Sequence, residues 1–283
     1  MNILTFDVED WFHILDNDST KSESEWIKYP SRLQENIERI FLLLEETKTR
    51  ATFFCLGWIA QKYPSIIKDI VKSGYEIGCH SNMHQLVYEQ SPEDYKNDLI
   101  TSLRILENIS GKKIKYYRAP GFSITNTNNW TFELLAENGI EYDSSIFPAQ
   151  RGHGGYKGYN NNGPAILDIN GMQIKEFPIN TINILGKRVV FTGGGYFRLF
   201  PLSILKYLFS NSEYIMTYFH PRDFDSEQPM IDGLSPIRKF KSYYGLNSSL
   251  SKLKSILLMH HFIDIKEASS LIKWDNKNIV KLG

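Results

Sequence analysis

Cysteine is scarce: the 283 residues contain Cys55 and Cys79 and no others. Both sit in apolar runs, and neither has a second cysteine or a histidine nearby at zinc-ribbon spacing. A disulfide scaffold is thereby excluded, and buried free thiols are expected. Net charge is also missing. Lys plus Arg and Asp plus Glu each number 32, which argues against a generic nucleic-acid or anionic-membrane binder with its basic excess. Long hydrophobic runs are absent. The longest, residues 40–44 and 256–259, fall far short of the ~18 apolar residues of a membrane span. The N-terminus shows no basic segment, apolar stretch and small-residue cleavage site in succession, so no signal peptide is visible. These absences together predict a cytoplasmic protein without a transmembrane segment.

What is present is ordinary globular material, 42% apolar and 23% charged, enough to bury a core without staples. Short β-like runs alternate with amphipathic helical runs over the first two-thirds, the pattern of a parallel sheet covered by helices. Strands are predicted at residues 3–6, 52–56, 75–79, 115–117, 140–142 and 214–219. A helix is predicted from Ser31, read as an N-cap with Gln34 completing a capping box. It carries Leu33, Ile37, Ile40, Phe41 and Leu44 at helical spacing. Further helices are predicted at 59–72, from Ser91-Pro92-Glu93 to about 109, and at 128–137 and 202–209. Residues 150–200, rich in Gly, Asn and Tyr, read as a β-rich insertion with strands at 165–169, 173–177 and 188–191. A tail of about 230–283 adds a helix at 249–259 and a strand at 262–265. The whole reads as one α/β domain over residues 1–283.

Strand ends carry the chemistry. Asp7, His80, Arg118, Asp143 and His220 each fall where a predicted strand runs out, and parallel α/β folds build their sites at C-terminal strand ends. His80 and His84 stand four apart. If that segment is helical, the two imidazoles lie about 5–6 Å apart on one face and can share a metal at the ~2.0–2.1 Å typical of zinc. Asp7, Glu9 and Asp10 crowd three carboxylates into four residues, which a bound cation would relieve. Two surface histidines and a solvated acidic turn are the plainer readings. The flanking Ile3, Leu4, Trp11 and Phe12 argue against the second.

In order along the chain stand Thr5-Phe6-Asp7-Val8-Glu9-Asp10, His80-Ser81-Asn82-Met83-His84, Arg118-Ala119-Pro120-Gly121, Asp143-Ser144-Ser145 and Tyr218-Phe219-His220-Pro221. Over residues 1–225 this series resembles the polysaccharide deacetylases, the NodB-homology group also called carbohydrate esterase family 4. Phe191-Thr192-Gly193-Gly194-Gly195-Tyr196-Phe197-Arg198 and His220-Pro221-Arg222-Asp223 look like the branch found in bacterial surface-polysaccharide gene clusters. The resemblance implies an irregular (β/α) barrel and removal of an N-acetyl group from an amino sugar, with release of acetate. It implies Asp7 as the base that takes a proton from the attacking water and His220 as the acid that protonates the leaving amine. Arg118 would hold the base, Asp143 would support the acid, and His80 and His84 would bind a divalent metal. A backbone N–H near Arg118 is expected to face the developing oxyanion.

The sequence departs from the family pattern where Val8 replaces a second adjacent aspartate. Side chains alternate along an extended segment, so Glu9 shares a face with Asp7 and is favoured as third ligand. Asp10 stays open, because a turn breaks the alternation. Zn2+ suits such a set, and so do Ni2+, Co2+ and Fe2+. The expected partner is an N-acetylated sugar or glycan, as a surface polysaccharide or its lipid- or nucleotide-linked precursor. A lipid-linked substrate would place the protein peripherally at the inner membrane. A hydrolase of non-sugar amides and a silent carbohydrate-binding protein are the competing readings. His260 and His261 read as packing or surface residues. His13 is a candidate to support the acidic cluster, and His153 a candidate to touch substrate from a rim loop. Gly193 to Gly195 read either as a close approach to ligand or as a β-turn. Trp11, Tyr156, Tyr196 and Phe197 read either as sugar platforms or as core.

Overall fold

A computed structural model describes residues 1–15, 17–149, 153–184 and 186–282. Gln150, at the start of the predicted insertion, and Gly152, beside His153, lie outside them. The fold is α/β, as expected, and its chain divides into two compact units. Residues 1–51 and 191–263 form one; residues 52–190 and 264–283 form the other.

The first unit is organised on parallel extended segments. Strand Asn2–Ile3 pairs with Ile215–Met216, and parallel bridges join Ile3 to Ile263, Phe6 to Phe219 and Gly193 to Tyr218. Ile3, Leu4, Thr5 and Phe6 are all fully buried, which is why the N-terminus reads as a continuous apolar run instead of an alternating one. Phe6, Phe197 and Phe224 pack their rings around Phe219, with centroids 6.2, 4.9 and 5.6 Å from it. Helix Leu33–Thr47 covers this core with Leu33, Ile37, Ile40 and Leu44. The predicted capping box does not form: Arg32 stands at the N-cap, Gln34 bonds Glu38, and Ser31 is turned to another task described below. The glycine run opens the helix Gly194–Leu199 and is not a β-turn. Gly193 is extended, and a Cβ there would meet Tyr218 O at 2.2 Å, so the close approach it permits is strand to strand.

The second unit contains a mixed sheet. Thr52–Cys55, Glu76–Cys79, Tyr116–Tyr117, Tyr142–Asp143 and Met172–Glu176 follow one another in parallel, and Ala165–Ile169 then pairs antiparallel with Met172–Glu176. The final strand Ile279–Lys281, absent from the sequence reading, adds parallel to Ala165–Ile169. The hairpin predicted as an insertion is therefore part of the sheet. Its register carries one row across five strands: Cys55, Cys79, Tyr117, Asp143 and Glu176.

Three further expectations change. The helix at 59–72 is two helices, Gly57–Lys62 and Pro64–Lys72, because Pro64 drives Tyr63 out of the helical region. The strand at 262–265 shrinks to the Ile263 bridge, since Asp264 accepts from Glu267 N and caps helix Ile265–Leu271. Helix Pro236–Tyr243 stands in the tail unanticipated. Cys55 and Cys79 are free and buried as expected, and burial pushes the Cys79 thiol up to about 12. Among the described residues no helix is long and apolar enough to cross a membrane.

Candidate active site

In the first unit the strand Thr5–Val8 delivers the acidic cluster. Asp7 N donates to Phe219 O at 2.7 Å, which fixes Asp7 beside the turn that holds His220. Asp7 Oδ2 and Glu9 Oε1 lie 3.9 and 3.7 Å from His220 Nε2, so both carboxylates face one imidazole edge.

Asp10 belongs to a different network. It accepts from Trp11 N at 2.8 Å and Arg32 N at 3.3 Å, and Ser31 Oγ donates to its Oδ2. Burial raises its pKa against those three hydrogen bonds. His13 Nδ1 accepts from Asp10 N at 2.9 Å, and its ring packs on Trp26 at 4.5 Å. His13 therefore clamps the turn.

The carboxylate against Nδ1 of His220 within the first unit is Asp223. Asp223 Oδ2 accepts from the His220 backbone N–H at 2.9 Å and lies 3.1 Å from Nδ1. Its other oxygen accepts from the buried Arg198 guanidinium, which also donates to Tyr244 O, Lys241 O and Ser242 O. Burial opposes ionisation of Asp223, but Arg198 and then His220 outweigh it and hold the carboxyl far below its usual range. The sequence signal for Asp223 is its position three residues after His220, where its side chain reciprocates as a cap. Arg198→Ala would strip the guanidinium from a buried Asp223 carboxylate and leave His220 alone to offset its charge. It is expected to cost about 3–5 kcal/mol of stability, measured by urea unfolding; a change under ~1 kcal/mol would show that the pair does not hold the loop.

In the second unit the shared register sets the next groups. His80 N donates to Cys55 O, Arg118 N to Cys79 O and Ser144 N to Tyr117 O, at 2.9–3.0 Å, so these residues stand one step beyond the row. His80 and His84 are not on a helix. Ser81 and His84 adopt left-handed backbone (φ 68° and 53°), and the ring centroids nevertheless lie 5.5 Å apart. The loop is held from three sides. Asp98 accepts from Asn82 N and Met83 N at 2.7 and 3.0 Å, Ser102 Oγ donates to Ser81 O, and Gly57 N donates to Ser81 O. A Cβ on Gly57 would meet Asn82 Oδ1 at 2.4 Å. Asp98 escaped the sequence reading because it sits on a helix, far from any strand end.

His80 Nδ1 lies 2.7 Å from Arg118 O. A carbonyl only accepts, so Nδ1 carries the proton and Nε2 keeps a lone pair. This is how metal-binding histidines are prepared. Arg118 is fully buried, donates to Ser144 O and Ser144 Oγ, and stacks on Phe54 with its guanidinium carbon 4.3 Å from the ring centroid. The Arg118 N–H is spent on Cys79 O and the Ala119 N–H on Ser145 Oγ, so neither can serve an oxyanion. Asp143 accepts from Ser145 N and Ser145 Oγ at 2.8 and 2.7 Å. Its neighbour across the register is Glu176, whose pKa is driven well up by burial and then by Asp143. Asp143 thus supports the Ser145–Ala119 contact.

Of the aromatic candidates, Trp11, Tyr156 and Phe197 are core and Tyr196 is exposed. His260 is half-buried and His261 exposed.

Residues 4–142 match the polysaccharide deacetylase family, and residues 144–270 match a domain of unknown function (DUF3473). A peptidoglycan-N-acetylglucosamine deacetylase of Bacillus cereus is 34% identical over 91 residues, 32% of this chain. The match spans a third (33%) of that relative's own length. The crystal structure of a putative polysaccharide deacetylase from Mycobacterium smegmatis superposes with a TM-score of 0.67 at 18% identity, covering 98% of this chain and 91% of that one. A family 4 carbohydrate esterase from Streptomyces lividans does so at 0.50 and 12% identity, covering 93% and 90%. At these identities the likeness speaks for the fold. Residues 4–142, which carry Asp7, His80, His84 and Arg118, are a polysaccharide deacetylase domain of the NodB-homology, carbohydrate esterase family 4 group.

Proposed function

We propose that the protein is a divalent-metal-dependent deacetylase that removes the N-acetyl group from an amino sugar of a glycan or of its lipid- or nucleotide-linked precursor. The observation that carries this reading is His220, held at Nδ1 by Asp223 while Nε2 faces Asp7 and Glu9. Hydrolysis of an amide calls for a proton donor beside a proton acceptor, and this pairing supports the reading. The B. cereus relative named above, a deacetylase of an N-acetylated sugar polymer, supports the substrate class.

Glu9, His80 and His84 are proposed as the metal ligands on the chemistry of their donor atoms, one carboxylate and two imidazoles. Two observations favour them: the lone pair left on His80 Nε2, and the commitment of Asp10 to Ser31, Trp11 and Arg32. Two imidazoles and a carboxylate suit zinc, and also nickel, cobalt or iron. A divalent cation bound there supplies Lewis acidity toward the acetyl carbonyl and toward water. Asp7 accepts the proton of the attacking water. His220 delivers a proton from Nε2 to the sugar nitrogen as the C–N bond breaks, while the proton on Nδ1 stays with Asp223. Arg118 stiffens the strand end behind His80 and is assigned to orienting Asp7.

The reading is tested by acetate release from N-acetylated chitooligosaccharides, peptidoglycan fragments and a set of non-sugar amides, before and after chelation. Release from the sugars, lost on chelation and restored by Zn2+, is expected. Hydrolysis of the non-sugar amides alone would overturn it.

The proton donor has its own signature. Burial opposes charge on His220, but Glu9, then Asp223 and then Asp7 outweigh it, and the imidazolium persists to about 9 from an ordinary 6.5. Because the folded value is the higher, the stability this contributes is complete below pH ~6.5 and fades as pH rises toward ~9. In the metal-free protein, NMR titration of His220 is expected to give a midpoint well above 6.5. The midpoint should fall in Asp223→Asn, and fall again when added Zn2+ neutralises Glu9. A midpoint unmoved by either change would remove the assignment.

A further inference from the structure

Overall neutrality conceals a one-sided distribution in the second half of the chain. Residues 177–212 and 233–263 contain no Asp or Glu, and 233–263 carry Arg238, Lys239, Lys241, Lys252 and Lys254. Two of these cations are spent inside the first unit: Lys252 donates to Arg198 O and Phe200 O, and Lys254 pairs with Glu46. Lys239 and Lys241 are exposed on helix Pro236–Tyr243.

That helix buries none of its residues. Ile237, Phe240 and Tyr244 stand 71%, 52% and 49% exposed at spacings of three and four, which puts them in one stripe. Phe240 and Tyr244 stack with centroids 4.7 Å apart. The helix is no frayed end, because the buried Arg198 holds its last carbonyls at Lys241, Ser242 and Tyr244. Arg198 belongs to helix Gly194–Leu199, whose Tyr196 and Leu199 are likewise exposed. A pinned helix that presents an apolar stripe edged by lysines, with no carboxylate in its stretch of chain, is built to be covered.

We propose that this face docks on an anionic lipid bilayer, with the Ile237, Phe240 and Tyr244 side chains entering the headgroup boundary and Lys239 and Lys241 meeting the lipid phosphates. Charge selects this occupant. A second copy would bring the same cations against themselves, and a neutral glycan offers them no counter-charge. Attachment is peripheral, since no described helix can span a membrane. The inference stands apart from the deacetylase reading, because its test measures binding and not turnover.

The test is co-sedimentation of the full chain with vesicles of phosphatidylcholine alone and with vesicles containing about one-quarter phosphatidylglycerol. Pelleting with the anionic vesicles only is expected, and it should weaken steeply toward ~1 M salt, where screening shortens to ~3 Å. Lys239→Glu/Lys241→Glu should bind at least about tenfold more weakly, on the ~tenfold-per-1.4 kcal/mol scale. Phe240→Ser should weaken binding even at low salt. These side chains are exposed, so unchanged thermal melting would show that the variants remain folded. Equal pelleting with both vesicle types, no pelleting with either, or variants that bind like the parent would each overturn the proposal. So would a dimer in light scattering that Phe240→Ser dissolves while vesicle binding is absent.

Discussion

Asp7→Asn is expected to lower kcat/KM by roughly 10²–10⁴-fold while leaving metal content unchanged. The substitution is nearly isosteric and keeps the backbone bond from Asp7 N to Phe219 O, so the strand end stays in place while the side chain loses its capacity to act as a base. On the scale of 1.36 kcal/mol per tenfold, that is about 3–5 kcal/mol of transition-state stabilisation. His220→Ala should cost as much for the opposite reason, because no donor remains for the leaving nitrogen. The two substitutions then differ in pH dependence. Loss of the base removes the acidic limb of the kcat profile, and loss of the acid removes the alkaline limb. Asp223→Asn should keep part of the activity but move the alkaline limb to lower pH, since it removes both a charge and a hydrogen bond that hold the imidazolium. Asp143→Asn should leave that limb where it is, because the oxygens of Asp143 are engaged by Ser145. Full activity in Asp7→Asn would end the proposed mechanism.

The strand-end positions of the candidate residues were legible in the sequence because strand ends are marked twice, by an apolar run and by the polar residue that stops it. His80 and Arg118 stand one step past a shared sheet register, and the sequence reading ends a strand just before each of them. What was not legible is the support. Asp98 reaches the His80–His84 loop from mid-helix, where an acid looks like solvent-facing decoration. Glu176 looked like one residue of an insertion strand, yet it sits in the register row beside Asp143. Arg198 reaches Asp223 across 25 residues of chain, a separation that no local pattern encodes. The His80–His84 spacing was read from helical geometry, and the 5.5 Å ring separation agrees although the backbone is not helical. Left-handed residues at Ser81 and His84 bring the rings together instead. Spacing along a chain limits how far apart two side chains can be, not the path between them.

The same limit left Glu9 and Asp10 unresolved, and here the two candidates part most clearly. Glu9→Gln is expected to lose bound metal, measured by elemental analysis of the purified protein, with its unfolding midpoint in the presence of chelator unchanged. An amide is a far weaker ligand than a carboxylate, and Gln keeps the shape of the Glu9 side chain beside His220. Asp10→Asn should keep the metal. Its Oδ1 can still accept from Trp11 N and Arg32 N, and its new amide can donate to Ser31 Oγ, so the turn retains its bonds. Burial also works against the charge that Asn removes, and the substitution should be close to neutral in stability. Asp10→Ala leaves the same donors without an acceptor and should cost about 1–3 kcal/mol, still with metal bound. Metal lost in Asp10→Asn and retained in Glu9→Gln would transfer the third ligand to Asp10. The hydrogen bonds that now define the Ser31 turn would then have to break before an ion could enter.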